Sequence, residues 1–198
     1  MNQLLTKIIL FFLIASYFLL LTACTTYGSA AMTGVEAFYD RHSLQKKFDD
    51  NVTTFNIYND LYVNSKQFTG THIGITTFND SVLILGQIPD KKRQLEIEQI
   101  AKKYAKNRDI YNYTELASPS SMLVQASDSW ITAKIKAHLI AINDVDPSKI
   151  KVITENGIVY LLGIVPHEQA NIAAQVAKET MGVQDVIKLF SYVTISKV

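Results

Sequence analysis

A cysteine at the end of a long apolar run has the most specific chemistry in this sequence. Residues 21–24 read LTAC. A leucine and two small residues before a cysteine match the cleavage site of bacterial lipoproteins. In such proteins the cysteine becomes the first residue of the mature chain and carries the acyl chains, palmitate among them. The sequence therefore predicts lipidation of Cys24.

The residues before Cys24 favour a signal peptide. Lys7 supplies a positive charge, and residues 8–21 are fourteen residues without a charge. Such a run is too short for a comfortable membrane span and is typical of a signal-peptide core. We expect residues 1–23 to be the signal peptide and residues 24–47 to be a lipidated tether, with a short helix around Val35 to Lys47. Two alternatives stay open: an N-terminal anchor helix, or an ordinary secretory signal in which the cysteine falls by chance.

Composition narrows the function classes. Without residues 1–23 the chain has 18 basic and 18 acidic residues, because Lys7 is the one charge removed from totals of 19 and 18. A balanced charge gives no electrostatic reason to bind nucleic acid. Cys24 is the one cysteine, and the four histidines lie in different segments without a metal-ligand spacing. No catalytic motif is present, so we expect no enzyme activity, no metal and no cofactor.

The chain repeats itself. Residues 73–89 match residues 150–166 at an offset of 77, and residues 50–57 match residues 128–135. Agreement over two separated blocks predicts two copies of one module. We place the first module at residues 48–116 and the second at 127–196. A linker, residues 117–126, lies between them.

Each copy has the same predicted elements. A helix opened by an N-cap aspartate, Asp50 or Asp128, precedes a β-hairpin, a second helix and a third strand. The sequence thus predicts an α+β fold of two tandem α-β-β-α-β modules, each with two helices packed on a three-stranded sheet. Gly86 and Gly163 fall within strands. We interpret them as places where a helix packs on bare backbone.

The repeated segments resemble the BON domain, the bacterial OsmY and nodulation domain. The resemblance is carried by DSWIT at 128–132, IKV at 150–152, NGIVYLLGIV at 156–165 and GVQDV at 182–186, and the first copy is looser. A lipoprotein cleavage site followed by two such domains is similar to BON-domain lipoproteins of the outer membrane.

The resemblance implies a non-enzymatic lipoprotein that binds anionic phospholipid through its second BON domain and supports envelope integrity. Thr25 and Thr26 follow the cysteine, without the aspartate that retains enteric lipoproteins on the inner membrane. We therefore expect the periplasmic face of the outer membrane. The alternative is a lipid-anchored interaction module that docks envelope protein partners.

A tryptophan on the first helix of the second copy is the candidate lipid contact. The core-facing stripe of that helix is predicted to contain Ile131, Ile135, Leu139 and Ile142. Trp130 lies one residue off this stripe, and its own face carries Lys134, Ala137 and Ala141. An indole beside an ammonium group suits a membrane interface. Alternatively, Trp130 covers the edge of the core.

The first copy lacks these groups. It has Val52 and Asn56 at the positions of the tryptophan and the lysine, which offer neither an anchor nor a charge. We therefore expect the lipid contact to belong to the second copy.

Overall fold

The described chain divides into a first half, residues 34–116, and a second half, residues 117–194. The first half begins with a long helix and continues with a hairpin, a second helix and a parallel strand. A computed structural model describes residues 34–65, 67–79 and 81–194, with side chains from residue 44 onward. The predicted signal peptide and Cys24 lie outside the described residues. The described residues from Ser43 onward form one compact unit, to which the sites below belong.

Seven elements make up the first half. They are α1 (Gly34–Asn59), a π-helical turn (Asp60–Asn64), β1 (His72–Phe78), β2 (Ser81–Ile88), α2 (Lys91–Ala105), β3 (Asp109–Asn112) and β4 (Glu115–Leu116). In the sheet β1 pairs with β2 in antiparallel fashion, while β3 and then β4 run parallel to β2. The short strands β3 and β4 are thus successive stretches along the same neighbour.

The second half repeats this order. It contains α3 (Met122–Ile140), a 3₁₀ turn (Pro147–Lys149), β5 (Ile150–Glu155), β6 (Ile158–Val165), α4 (His167–Glu179) and β7 (Asp185–Tyr192). The sheet order is β5-β6-β7, with an antiparallel hairpin and a parallel third strand. The protein therefore has the predicted mixed α+β architecture, with one sheet in each half.

Each half has its own core between its helices and its sheet. In the first half the core includes Ile57 of α1, Ile97 of α2 and Ile84 of β2. In the second half it includes Ile135 of α3 and Leu161 of β6, with a stripe of alanines on α4. This stripe contains Ala170, Ala173, Ala174 and Ala177, all of them buried. Small side chains allow the helix to lie close to the sheet.

A third core joins the two halves. It consists of buried residues on the sheet faces turned away from the helices: Leu83, Leu85, Tyr160, Leu162 and Leu189. Gln87 Nε2 also donates a hydrogen bond to Glu155 Oε1 across the interface, at 2.7 Å. Because the sheets meet face to face, the order of layers is helices, sheet, sheet, helices. The outer helical layers lie on opposite sides.

Helix boundaries differ from those predicted. The short helix expected around Val35 to Lys47 is the start of α1, which begins at Gly34 and is continuous with the first helix of the module. The helix α3 begins at Met122, which makes the end of the predicted linker helical. Its N-cap is Ser121, whose Oγ accepts a hydrogen bond from Val124 N at 3.3 Å. The prediction of Asp50 and Asp128 as N-caps is therefore wrong.

Those two aspartates hold the hairpin turns instead. Asp128 lies within α3, and its carboxylate accepts hydrogen bonds from the amides of Asn156 and Gly157, both at 2.8 Å. Asp50 accepts one from Asn79 N at 2.8 Å. A carboxylate suits this place because a turn exposes amide donors that no strand partner satisfies.

The glycines within strands have a different cause from the one predicted. A Cβ on Gly86 would lie 2.0 Å from the carbonyl oxygen of His72, and one on Gly163 would lie 2.1 Å from that of Lys149. Both glycines also have positive φ, 109° and 155°. The backbone at the start of the neighbouring strand, rather than a helix, comes close at these positions and requires glycine.

Candidate functional site

One side of α3 packs in the core of the second half. Ile131, Ile135 and Leu139 are almost completely buried, and Ile142 is partly buried against the same cluster. This agrees with the predicted stripe. The opposite side of the helix is left to solvent, because α3 belongs to an outer layer of the molecule.

The four residues predicted to bind lipid lie together on that outer side. The side chain of Trp130 is 51% exposed, and Lys134 Nζ lies 4.4 Å from the centroid of its ring. At this distance the ammonium group and the indole form a cation–π contact. Ala137 lies one turn after Lys134, and Ala141 is the C-cap of the helix. Both alanines are exposed. Trp130 therefore presents its ring to solvent beside a cation.

The apolar outer face of α3 is longer than the sequence analysis predicted. Met122 and Leu123 in its first turn are 86% and 80% exposed, and Ile140 in its last turn is 70% exposed. Small exposed residues, Ala126 and Ala133, lie between them and Trp130. The helix of 19 residues makes this face about 28 Å long. The N-terminal part of this face was missed because residues 117–126 were predicted to be a linker. The helical spacing of exposed apolar residues in fact begins at Met122, directly after the N-cap Ser121.

The first half has an apolar outer face of a different kind. Val52 does occupy the position of Trp130, but it belongs to a stripe of exposed residues on α1: Leu44, Phe48, Val52 and Phe55. Phe48 and Phe55 are each 67% exposed. These aromatic side chains lie one turn to either side of Val52, at positions that the comparison of Val52 and Asn56 with Trp130 and Lys134 did not include. The position of Lys134 is taken by the uncharged Asn56.

Two histidines of the described residues have partners other than a set of metal ligands. Within residues 34–65, 67–79 and 81–194, no group of three histidine, cysteine, aspartate or glutamate side chains is placed to hold a metal ion. His72 instead faces Glu155, with Nε2 3.7 Å from the carboxylate, and His167 stacks on Tyr192. Over the same residues, no helix is long and apolar enough to cross a membrane.

The second half of the chain matches a known domain family. Residues 127–194, nearly the whole second half, match the family model of the BON domain. The C-terminal domain of CdsD, a structural protein of the type III secretion system of Chlamydia trachomatis, is 13% identical, with a TM-score of 0.29. That alignment covers 73% of this chain and 67% of the other.

Two relatives match across both halves. The outer membrane lipoprotein DolP of Haemophilus influenzae is 30% identical over 153 residues, which cover 77% of this chain and 79% of the relative. The 21 kDa hemolysin of Actinobacillus pleuropneumoniae is 32% identical over 154 residues, which cover 78% of this chain and 79% of the relative. The chain belongs to the family of DolP-like BON-domain lipoproteins.

Proposed function

We propose that this protein is a non-enzymatic lipoprotein of the periplasmic face of the outer membrane that binds anionic phospholipid through the outer face of α3. In this role it supports the integrity of the envelope. The observation that carries the proposal is the exposed Trp130–Lys134 pair on a long apolar helix face. The name of the relative, outer membrane lipoprotein, supports the location.

The outer face of α3 has the chemistry of a membrane interface. An indole is favoured at the level of the headgroups, because its ring is apolar and its N–H is polar. Lys134 lies beside it and can meet a phosphate, an attraction of about 1 kcal/mol near an anionic surface. Met122, Leu123 and Ile140 extend the apolar contact to both ends of the helix. The small side chains of Ala137 and Ala141 do not protrude from this face, so the helix can lie flat on a membrane surface.

The acyl anchor supplies the second membrane contact. Stable anchoring requires more than one weak signal, such as several acyl chains or one chain with a protein contact. Ten residues from Cys24 to Gly34 can span at most about 35 Å. The anchor therefore keeps the start of α1 within that distance of the bilayer that holds the acyl chains.

We also propose that the first half is a second BON module. Its order of helix, hairpin, helix and parallel strand is that of the second half. The hairpin registers correspond as well, since Ile73 pairs with Gly86 and Ile150 with Gly163. Asp50 and Asp128 bind equivalent turn amides.

Vesicle binding by the protein without its acyl anchor tests the lipid site. The double variant Trp130→Ala/Lys134→Glu should lose at least about tenfold in affinity for anionic phosphatidylglycerol vesicles. The charge reversal removes an attraction of about 1 kcal/mol and adds a repulsion, and about 1.4 kcal/mol corresponds to tenfold. The matched control, Val52→Ala/Asn56→Glu, should have a much smaller effect. Circular dichroism and thermal unfolding establish that both variants are folded.

The result separates two functions. Unchanged binding in a folded Trp130/Lys134 variant would exclude this lipid site. It would then favour the alternative of a lipid-anchored module that docks envelope proteins.

Replacement of the predicted lipidation site tests the anchor. Cys24→Ser should leave an unprocessed precursor, because the acyl chains attach to the cysteine sulfur. Acyl labelling, mass and membrane fractionation are the measurements. A variant that matures and fractionates like the parent protein would contradict the proposal.

A further inference from the structure

Two lysines from different elements line one cleft at the edge of the molecule. Lys136 comes from α3 and Lys151 from β5, and the cleft of about 460 Å³ is bounded across from them by His72 and Thr76 of β1. We call this the lysine cleft. Lys136 follows Trp130 by six residues, which places it about 120° around the helix from the tryptophan. The cleft is therefore distinct from the apolar outer face of α3.

The acidic groups of the cleft are already engaged. Asp128 binds the two turn amides described above. Glu155 accepts a hydrogen bond from Gln87 and faces His72. Among the residues that the structure describes, neither Lys136 nor Lys151 has a carboxylate within ion-pair distance. Burial, together with the charge of Lys136, lowers the pKa of the Lys151 amine. Two cations held this way favour an added anion.

The first half shows that the fold does not require these cations. Tyr58 takes the place of Lys136, and Gly74 takes that of Lys151. The hydroxyl of Tyr58 donates to Ile73 O at 3.2 Å and accepts from Ile75 N at 3.1 Å. A neutral side chain thus closes the edge of β1. At the edge of β5 the same position holds a cation and leaves a cleft.

A pair of hydroxyl groups adds a donor. Thr132 Oγ1 lies 2.8 Å from Thr154 Oγ1, and both residues line the cleft. Two hydroxyls carry two protons and use one in their mutual hydrogen bond. The second hydroxyl proton of this pair is left for an acceptor in the cleft.

We propose that the lysine cleft binds a phosphate group between Lys136 and Lys151. A lysine acts as a point charge with three donors, which suits the tetrahedral oxygens of phosphate, whereas the planar carboxylate is matched best by arginine. The phosphate can belong to a lipid headgroup or to a small soluble phosphate. This site goes beyond the lipid contact of Trp130, because it engages a different flank of α3 and uses no apolar side chain.

Titration of the whole mature chain without acyl groups tests the site. The probes are inorganic phosphate and glycerol phosphate, compared with chloride at equal ionic strength. We expect saturable shifts in the NMR signals of the Thr132 and Lys151 amides and of the Lys151 amine, whose pKa should rise as phosphate binds. The variant Lys136→Gln/Lys151→Gln should weaken binding at least tenfold. The matched control, Lys178→Gln/Lys188→Gln, changes two exposed lysines of the same half and should leave binding unchanged.

A second variant guards against a folding defect. Lys136→Tyr restores the side chain that the first half has at this position, so it should remain folded and still lose phosphate binding. Absence of a saturable shift with both probes would overturn the proposal. Retention of the shift in the folded double variant would also overturn it.

Vesicles identify the source of the phosphate. If the site takes a headgroup, the double lysine variant should bind phosphatidylglycerol vesicles less tightly even with Trp130 and Lys134 intact. If it takes a soluble phosphate, the variant should lose the soluble probes and keep vesicle binding. Either result supports the site. A failure of the Trp130/Lys134 proposal is measured separately, by the variant of that pair.

Discussion

The first helices of the two halves, α1 and α3, are alike where they face the protein and differ where they face solvent. On the core side Ile57 and Ile135 are both completely buried, and on the turn side Asp50 and Asp128 bind equivalent amides. On the outer side phenylalanines of α1 face solvent where α3 carries the Trp130–Lys134 pair. The comparison indicates that packing restricts two sides of the helix, while the third is open to a separate function in each half.

The largest expected difference between the halves concerns the turn aspartates. Asp50 also lies 3.3 Å from the guanidinium of Arg108, whose side chain is 13% exposed, whereas Asp128 binds two amides. Asp50→Ala leaves both an amide and a buried guanidinium unpaired, so it should cost about 3–5 kcal/mol of unfolding free energy. Asp128→Ala leaves two amides and should cost about 2–3 kcal/mol.

Urea unfolding of both variants measures this difference. Burial raises the pKa of Asp50 although Arg108 opposes the shift. The expected cost therefore comes from the partners left behind rather than from the loss of a favourable charge pair. Asp50→Asn keeps an acceptor for the amide of Asn79 and is the control. Equal losses from Asp50→Ala and Asp128→Ala would show that Arg108 contributes nothing to the difference.

A smaller effect is expected at the edge of β1. Tyr58→Phe removes the hydroxyl that bridges Ile73 O and Ile75 N, both in buried residues. The loss should be about 1–3 kcal/mol, since both backbone groups are left without their partner. Lys136→Met at the equivalent position of the second half should cost nothing, because no such bridge exists there. A thermal shift in the Lys136 variant as large as that of the Tyr58 variant would contradict this comparison.

The smallest effect is expected from the outer face of α1. The double variant Phe48→Ser/Phe55→Ser should change the affinity for phosphatidylglycerol vesicles by less than about twofold, about 0.4 kcal/mol. The two helical layers lie on opposite sides of the paired sheets, so a flat bilayer against α3 does not reach α1. Leu44→Ser is the matched control for exposed apolar area. A loss comparable to that of the Trp130/Lys134 variant would place lipid binding in both halves.

The face-to-face contact of the sheets could not be derived from the repeat alone. Along β2, Val82 and Ile84 face the helices, while Leu83 and Leu85 face the other sheet, and all four are buried. The sequence shows this as an unbroken apolar run in each copy, which indicates a strand covered on both sides. The run does not say what covers the second side. That depends on residues far away in the chain, such as Tyr160 and Leu162 of β6.

The start of α3 differs from the predicted start for a related reason. The segment 117–126 contains the breaker sequence SPSS, which favours a linker, but the helix begins directly after it, at Met122. Exposed apolar residues in its first turn, such as Leu123, contribute nothing to the core. The pattern of buried positions therefore begins later than the helix itself.

The sequence by itself determined the order of the elements in each half and the core-facing side of α3. These properties follow from local spacing, in which each residue type is matched to the period of its own helix or strand. Only the tertiary structure decided what the turn aspartates bind, which strand backbone requires Gly86 and Gly163, and which lysines meet in one cleft. Those relations join residues that are distant in the chain, such as Asp128 with Gly157 or Lys136 with Lys151, and local spacing carries no information about such distances.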